Sequence, residues 1–170
     1  LKDFQWKDFK SKIDSSAVIH STAWVAQENV IIGKNVKIGP NAVVCERSII
    51  ENDVKIGSGS IIGEDAFESN ITKDGLKDFG QSGGVLLKKG SRLLANVTVA
   101  KSAYGGFTEI GENSYLDNLV HIAHDCILGK NVKFTACSIT GGRVKVGDNT
   151  QIGLNATILN GLEIGKDCNV

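Results

Sequence analysis

Two of the chain's three histidines stand three residues apart in the stretch Leu116-Asp117-Asn118-Leu119-Val120-His121-Ile122-Ala123-His124-Asp125. Histidine is the side chain that titrates near neutrality without help, which makes it the usual general base. An acid follows His124 directly. A carboxylate on one ring nitrogen fixes the imidazole and stabilises the cation formed when the other nitrogen takes a proton. The pattern predicts deprotonation of a nucleophile by His124, with Asp125 or Asp117 orienting the ring. His121 precedes an aliphatic residue and is expected to project from a flat face, where it positions substrate rather than moving protons. His20 is remote and reads as a surface residue. The competing chemistry is a metal cluster of His121 and His124 with Asp117 or Cys126, but a path of strands and corners does not converge these side chains as a helix does. No metal is expected.

These residues belong to a repeat. Ile110, Leu116, Ile122, Leu128, Phe134, Thr140, Val146, Ile152, Ile158, Ile164 and Val170 are all six apart. Ile13 to Ile31 and, after a one-residue slip, Ile32 to Ile62 follow the same period. Glycine directly follows many of these positions, for example at Gly33, Gly39, Gly129 and Gly147, and is expected to allow the turn. A period of six fits neither a helix nor a simple alternating strand, and its aliphatic and glycine positions predict an all-β fold, a parallel β-helix. Three hexads close one triangular coil, so residues 18 apart stack. Gly142 is then expected over His124, with Asn160 one coil further. A glycine there leaves room for a thioester beside the imidazole, and its N–H can donate to an oxyanion. Gly141 is read as merely turning the corner. Thr140, the one polar member of the second series, is expected to face inward and to donate its hydroxyl to a backbone carbonyl.

Two interruptions break the period. Glu64 to about Val85 is read as a projecting loop whose Phe67, Leu76 and Phe79 pack on something, and Ala100 to Glu109 as an irregular bulge. Interruptions in a repeat are where binding surfaces are usually built. Residues 1–12, with Phe4, Trp6 and Phe9, carry no hexad and are read as an arm or short helix capping the core; residues 13–170 form one repeat domain.

At 170 residues and 41% hydrophobic the chain can bury one core. Nineteen cations balance nineteen acids and are interspersed, so no basic face for nucleic acid is expected. No apolar run approaches a membrane span, and a cytoplasmic location is expected. Cys45, Cys126, Cys137 and Cys168 form no C-x-x-C pair and are read as buried free thiols.

The hexads resemble the hexapeptide-repeat transferases, which implies a left-handed β-helix assembled as a homotrimer. The order Asp65-Ala66-Phe67, Gly83-Gly84-Val85-Leu86-Leu87, Leu116-Asp117-Asn118 and Ile122-Ala123-His124 is similar to the UDP-3-O-acylglucosamine N-acyltransferase family of lipid A synthesis. That resemblance implies an acyl-CoA or acyl-carrier-protein thioester as donor and an amino sugar or sugar nucleotide as acceptor. It also implies His124 as base, Gly142 as oxyanion donor, and a groove between subunits facing His124. His121, Asp117, Asn118 and Asn160 are the expected substrate-binding residues. The chain departs from the family in having no N-terminal uridine-binding domain and no C-terminal helices, in Leu162 where a histidine follows the Asn-Gly pair, and in Asp125 where asparagine is usual. A histidine followed by an acid also resembles the acetyl-CoA-dependent sugar N-acetyltransferases of surface glycan synthesis. Two other classes stand beside this one: a carbonic-anhydrase-like metalloenzyme and a non-catalytic β-helical binding module.

Overall fold

The computed structural model describes residues 7–78 and 80–170. Phe4, Trp6 and Phe79 therefore lie outside the described residues. The chain climbs as a triangular solenoid of short strands, most of two residues, joined by tight corners. Its three faces are parallel sheets of eight, seven and seven strands. Register is strict: Leu128 pairs with Val146 and Val146 with Ile164, each 18 residues on. A single outward residue followed by a single inward one is the rule, as in His121–Ile122 and Lys133–Phe134. Inward residues fill the bore, and Ile122, Leu128, Phe134 and Ile152 are each at most 1% exposed. A second ring of small buried residues two places before the inward residue, apolar at Val120, Val132 and Val144 and hydroxyl-bearing at Ser114, Ser138 and Thr150, closes the core between strands.

The corners differ from the expectation. Gly33, Gly39, Gly129 and Gly147 do not have positive φ; the left-handed residue comes two places later and is most often Asn or Asp, as at Asn35 (φ 57°), Asn131 (φ 56°) and Asn149 (φ 59°). Asn and Asp tolerate this conformation better than other L-residues. They also ladder: Asn131 donates to Asn149 at 3.0 Å, and Asn149 to Asp167 at 3.0 Å. The glycines serve close approach instead. A Cβ on Gly39 would stand 3.0 Å from the backbone nitrogen of Ser58, and one on Gly147 2.5 Å from that of Lys166.

Both interruptions are real but bounded differently. The first leaves after the Ile61–Glu64 strand and carries an antiparallel hairpin of Ser69–Thr72 with Gly75–Asp78. Gly84 and Val85 already belong to the returning strand Gly84–Leu87, inside the prism. Phe67 and Leu76 do not pack within the chain, being 97% and 67% exposed. The second interruption occupies residues 101–106, after a register shift at Val99/Ala100. The described part of the N-terminal arm is no helix. Lys10 bridges Glu28, and Lys12–Ile13 is the first strand of the eight-stranded sheet, so the boundary at residue 12 falls inside that strand. Phe9 is half-buried beneath the Lys12 ammonium, 5.5 Å from the ring centroid.

Charges scattered in sequence are not scattered in space. The coil register stacks Lys37, Lys55 and Arg92 side by side on the outer surface of one sheet, a basic stripe that interspersed charges had argued against. The thiols also divide: Cys126 is buried, Cys137 is exposed, and Cys45 and Cys168 lie between. No described helix is long and apolar enough to cross a membrane.

If the backbone at φ 56° sets the corner, Asn131→Ala should lose about 1–2 kcal/mol in urea unfolding, and Asn131→Gly clearly less. The opposite order would show that the side-chain ladder dominates.

Candidate active site

His124 sits on the corner that follows the strand His121–Ile122. Ile122, fully buried, anchors that strand in the bore, so the outward His121 and the corner residue His124 are fixed relative to the core. Asp125 is the left-handed residue of this corner, at φ 57°. There its carboxylate folds back on its neighbour, and Oδ2 meets Nδ1 of His124 at 2.7 Å. An ionised carboxylate only accepts, so Nδ1 carries the proton. Nε2 is left as the reactive nitrogen.

The rest of the site comes from the two interruptions. Ser102 Oγ donates to Asp125 Oδ1 in a very short hydrogen bond, and the Ala103 amide donates to Oδ2 at 3.3 Å. Thr108 Oγ1 accepts the Asp125 amide at 2.9 Å. The Tyr104 ring stands edge-on to His124, 6.3 Å between centroids. From the first interruption, Glu68 Oε1 lies 3.1 Å from Nε2. The His124 side chain is consequently only 9% exposed. None of Glu68, Ser102, Ala103 or Tyr104 was a candidate from the sequence. The only signal for them is that the repeat breaks at their positions.

Gly142 lies directly over the imidazole, as coil arithmetic requires. Its space is not left for a thioester, however: a Cβ there would run into Nε2, Cε1 and Cδ2 of His124 itself. Glycine is needed so that the ring can lie flat against the next coil. The Gly142 amide makes no hydrogen bond among the described residues, whereas the amides of Lys34 and Lys130, at the same place in their coils, are each taken by the side chain 18 residues on, Asn52 and Asp148. Gly141 does more than turn a corner. It has no positive φ, and a Cβ on it would meet the Asn160 backbone nitrogen at 2.7 Å.

A cleft of about 400 Å³ opens beside the ring, lined by His121, His124, Gly142 and Asn160 from the coils and by Asp65 and Phe67 from the loop. The structure thus gathers His124, Asp125, Gly142, His121 and Asn160. It does not bring Asp117 or Asn118 to them. These occupy the previous corner, where Asp117 accepts the Asn118 amide at 2.7 Å and Asn118 accepts that of Ala95 at 3.1 Å. One coil has three corners, and six residues in sequence lead from one to the next, so Asp125 and not Asp117 orients the ring. His20 is exposed and remote.

Burial holds the His121 imidazole below its ordinary value, favouring the neutral ring. Burial likewise raises the Cys126 thiol. Cys126 donates to the Gly141 carbonyl at 3.2 Å, into the coil interior and away from the cleft. It therefore does not join His121 and His124, and no group of three metal-capable side chains occurs among the described residues. Thr140 is buried as expected, but its hydroxyl accepts the Ala123 amide at 3.0 Å, with Cys126 Sγ at 3.4 Å. It serves a donor in the corner of His124, not a carbonyl.

Known families match this architecture. The description "Bacterial transferase hexapeptide (six repeats)" fits residues 29–64 and 107–142, and "Hexapeptide repeat of succinyl-transferase" fits residues 143–170. The chain belongs to the hexapeptide-repeat family. Among its hexapeptide-repeat relatives, UDP-3-O-acylglucosamine N-acyltransferase of Caulobacter sp. (strain K31) is 39% identical over 64% of this chain and 32% of its own length. A UDP-N-acetylglucosamine O-acyltransferase of Campylobacter lari, named for an acyl-carrier-protein donor, is 38% identical over 72% of this chain and 49% of its own. The chain thus spans only a third to a half of these relatives. In fold it is similar to a mutant GDP-perosamine N-acetyl transferase of Caulobacter crescentus, crystallised with CoA and GDP-perosamine, with a TM-score of 0.57 at 15% identity over 93% of this chain and 54% of that one.

Thr140→Val orphans the Ala123 amide and should cost about 1–3 kcal/mol, with Thr140→Ser milder; calorimetric melting checks the order, and an unchanged valine variant would show that water replaces the hydroxyl. The second expectation concerns pH. With the His121 pKa depressed in the folded chain, the unfolded chain binds more protons below its free value of 6.5. Stability should therefore be highest above that value and fall as pH drops through it toward the folded pKa. His121→Gln should lose less stability than the parent between about pH 7.5 and about pH 5.5 in urea titrations; equal losses would assign the acid sensitivity elsewhere.

Proposed function

We propose that this chain transfers an acyl group from a thioester of CoA or acyl carrier protein to the amino group of a nucleotide-linked sugar, a step of lipopolysaccharide or surface glycan synthesis. The observation that carries the proposal is a histidine at the edge of a cleft, fixed at Nδ1 by a carboxylate, with Nε2 facing the Glu68 side chain of the loop and an unpartnered glycine amide on the coil above. Nε2 takes the proton from the amine as its nitrogen attacks the thioester carbonyl. The Gly142 N–H receives the developing oxyanion, a role its unused donor suits. When the tetrahedral intermediate collapses, the C–S bond breaks and the imidazolium returns its proton to the thiolate. Asp125 steadies the ring through both transfers, held in turn by Ser102 and the Ala103 amide. His121 and Asn160 line the path of the substrate.

The proposal includes a homotrimer with His124 facing a groove between subunits. Phe67, Ile71 and Leu76 support it, since each is at least 67% exposed on the projecting loop and hairpin. Large apolar side chains clustered in water ordinarily mark an interaction surface.

The test is product detection by mass spectrometry after incubation with panels of acyl thioesters and sugar nucleotides. His124→Ala should lose about 10²–10⁴ in turnover, and His121→Ala less. Near-full turnover in His124→Ala with loss in His121→Ala would reassign the base, and activity in both would move the site elsewhere.

A further inference from the structure

Glu68 stands where the reaction needs its nucleophile. With Nδ1 committed to Asp125, an attacking group must come within about 3 Å of Nε2, and Glu68 Oε1 already lies 3.1 Å from that atom. The carboxylate is placed there by its own loop base. Gln81 clamps Ala66 at both ends, accepting its amide at 2.8 Å and donating to its carbonyl at 2.7 Å. The Glu68 amide donates to the same carbonyl at 2.9 Å. Arg47 holds the Gln81 carbonyl at 3.0 Å, and Lys101 pairs with Asp65. Glu68 is thus tied to the solenoid through three residues, although the hairpin beyond it projects freely.

No lysine or arginine among the described residues is paired with Glu68. The Glu68 side chain is 21% exposed, and among the described residues its one ion-pair partner is His124, which pairs with it only when Nε2 also carries a proton. The charged groups facing it are Asp125 behind the ring and Asp65 and Asp78 beside it in an adjoining cleft of about 310 Å³. Lys101 is paired with Asp65 and Arg47 with the Gln81 carbonyl. A carboxylate mostly withdrawn from water among other acids favours a cationic ligand.

We infer that Glu68 is the acceptor-side carboxylate, selecting an amine over a hydroxyl by receiving it as the ammonium and taking the first of the two protons it must lose. The inference rests on His124 being the base. An amine is largely an ammonium at neutral pH and cannot attack until it is deprotonated. Glu68 takes one proton and releases it to solvent at its exposed edge. The neutral amine then attacks, the N–C bond forms, His124 takes the second proton and passes it to the departing thiolate as the C–S bond breaks. The products are amide, thiol and one proton. A hydroxyl acceptor loses a single proton, which His124 alone handles, and brings no charge to compensate Glu68. In the free chain Glu68 Oε1 occupies the acceptor position, receiving a hydrogen bond from Nε2 when the ring is protonated, until the ammonium displaces the carboxylate sideways and Nε2 faces the amine as a base.

The experiment compares two probes differing at one carbon, UDP-glucosamine and UDP-glucose, on the full chain and on Glu68→Gln and Glu68→Asp. Calorimetric binding should favour the amine by about 10- to 100-fold in the parent, the preference vanishing in Glu68→Gln and partly returning in Glu68→Asp. With acetyl-CoA as donor, Glu68→Gln should raise KM for the amine more than it lowers kcat. That deficit should shrink toward about pH 9, where the amine arrives neutral. No preference in the parent, no binding of the amine probe, or an undiminished preference in Glu68→Gln overturns the inference. His124→Ala, run in parallel, separates the two ideas: if it turns over like the parent the base assignment fails, and if it is dead while Glu68→Gln keeps the parent's KM and pH profile only the role of Glu68 fails.

Discussion

Everything in this molecule depends on the stacking of one coil on the next in strict parallel register. Backbone hydrogen bonds at 2.8–2.9 Å tie most corners to the coil above, as where Arg143 donates to His124 and Gly161 to Gly142. At that spacing two side chains cannot both lie flat between coils. A ring as large as imidazole can be held against the corner only if its upper neighbour has no Cβ, and Gly142 meets that condition. The same closeness removes Cβ from Gly39 and Gly147 and lets corner asparagines join into ladders.

The regular coil supplies rigidity but little chemistry. Its corners offer one polar side chain each, pointing outward, with neighbours along the axis that are copies of the same kind. A histidine held in one orientation needs an acid on one ring nitrogen, that acid needs donors of its own, and the cleft needs walls. The chain obtains these by breaking the repeat twice on the edge nearest His124. Residues 101–106 furnish the donors for Asp125 and the Tyr104 ring edge-on to His124, and the loop after Glu64 furnishes Glu68 and, through Asp65 and Phe67, a wall of the cleft. Both departures are tied to the prism, one by the Asp125 contacts and the other by the Gln81–Ala66 clamp, so neither gives up the precision of the scaffold.

Stability and reactivity meet at Thr140 and Asp125. Thr140 replaces an aliphatic core residue, and its hydroxyl holds the amide of Ala123, one residue before His124. Asp125 takes a left-handed position that several other corners give to a ladder-forming asparagine, and its carboxylate turns to the adjacent ring instead of the next coil. In each case a structural position of the repeat has been given to the site, at the cost of a regular packing or ladder contact.

The sequence by itself determined the solenoid, the buried members of the series from Ile32 to Ile158, the His124–Asp125 pair and the placement of Gly142, because each follows from a fixed period and a constant rise. It also marked where the coil breaks. It did not reveal which residues of the breaks reach His124, since an irregular segment has no period from which a direction can be read. It put Asp117 in contention with Asp125 through nearness in sequence, whereas a triangular coil sends residues six apart to different corners. It placed the turn on the wrong residue for a related reason, because glycine serves both positive φ and close approach and only the three-dimensional stack shows which is required. The stripe of Lys37, Lys55 and Arg92 likewise exists only once the coils are stacked, when residues separated along the chain become nearest neighbours.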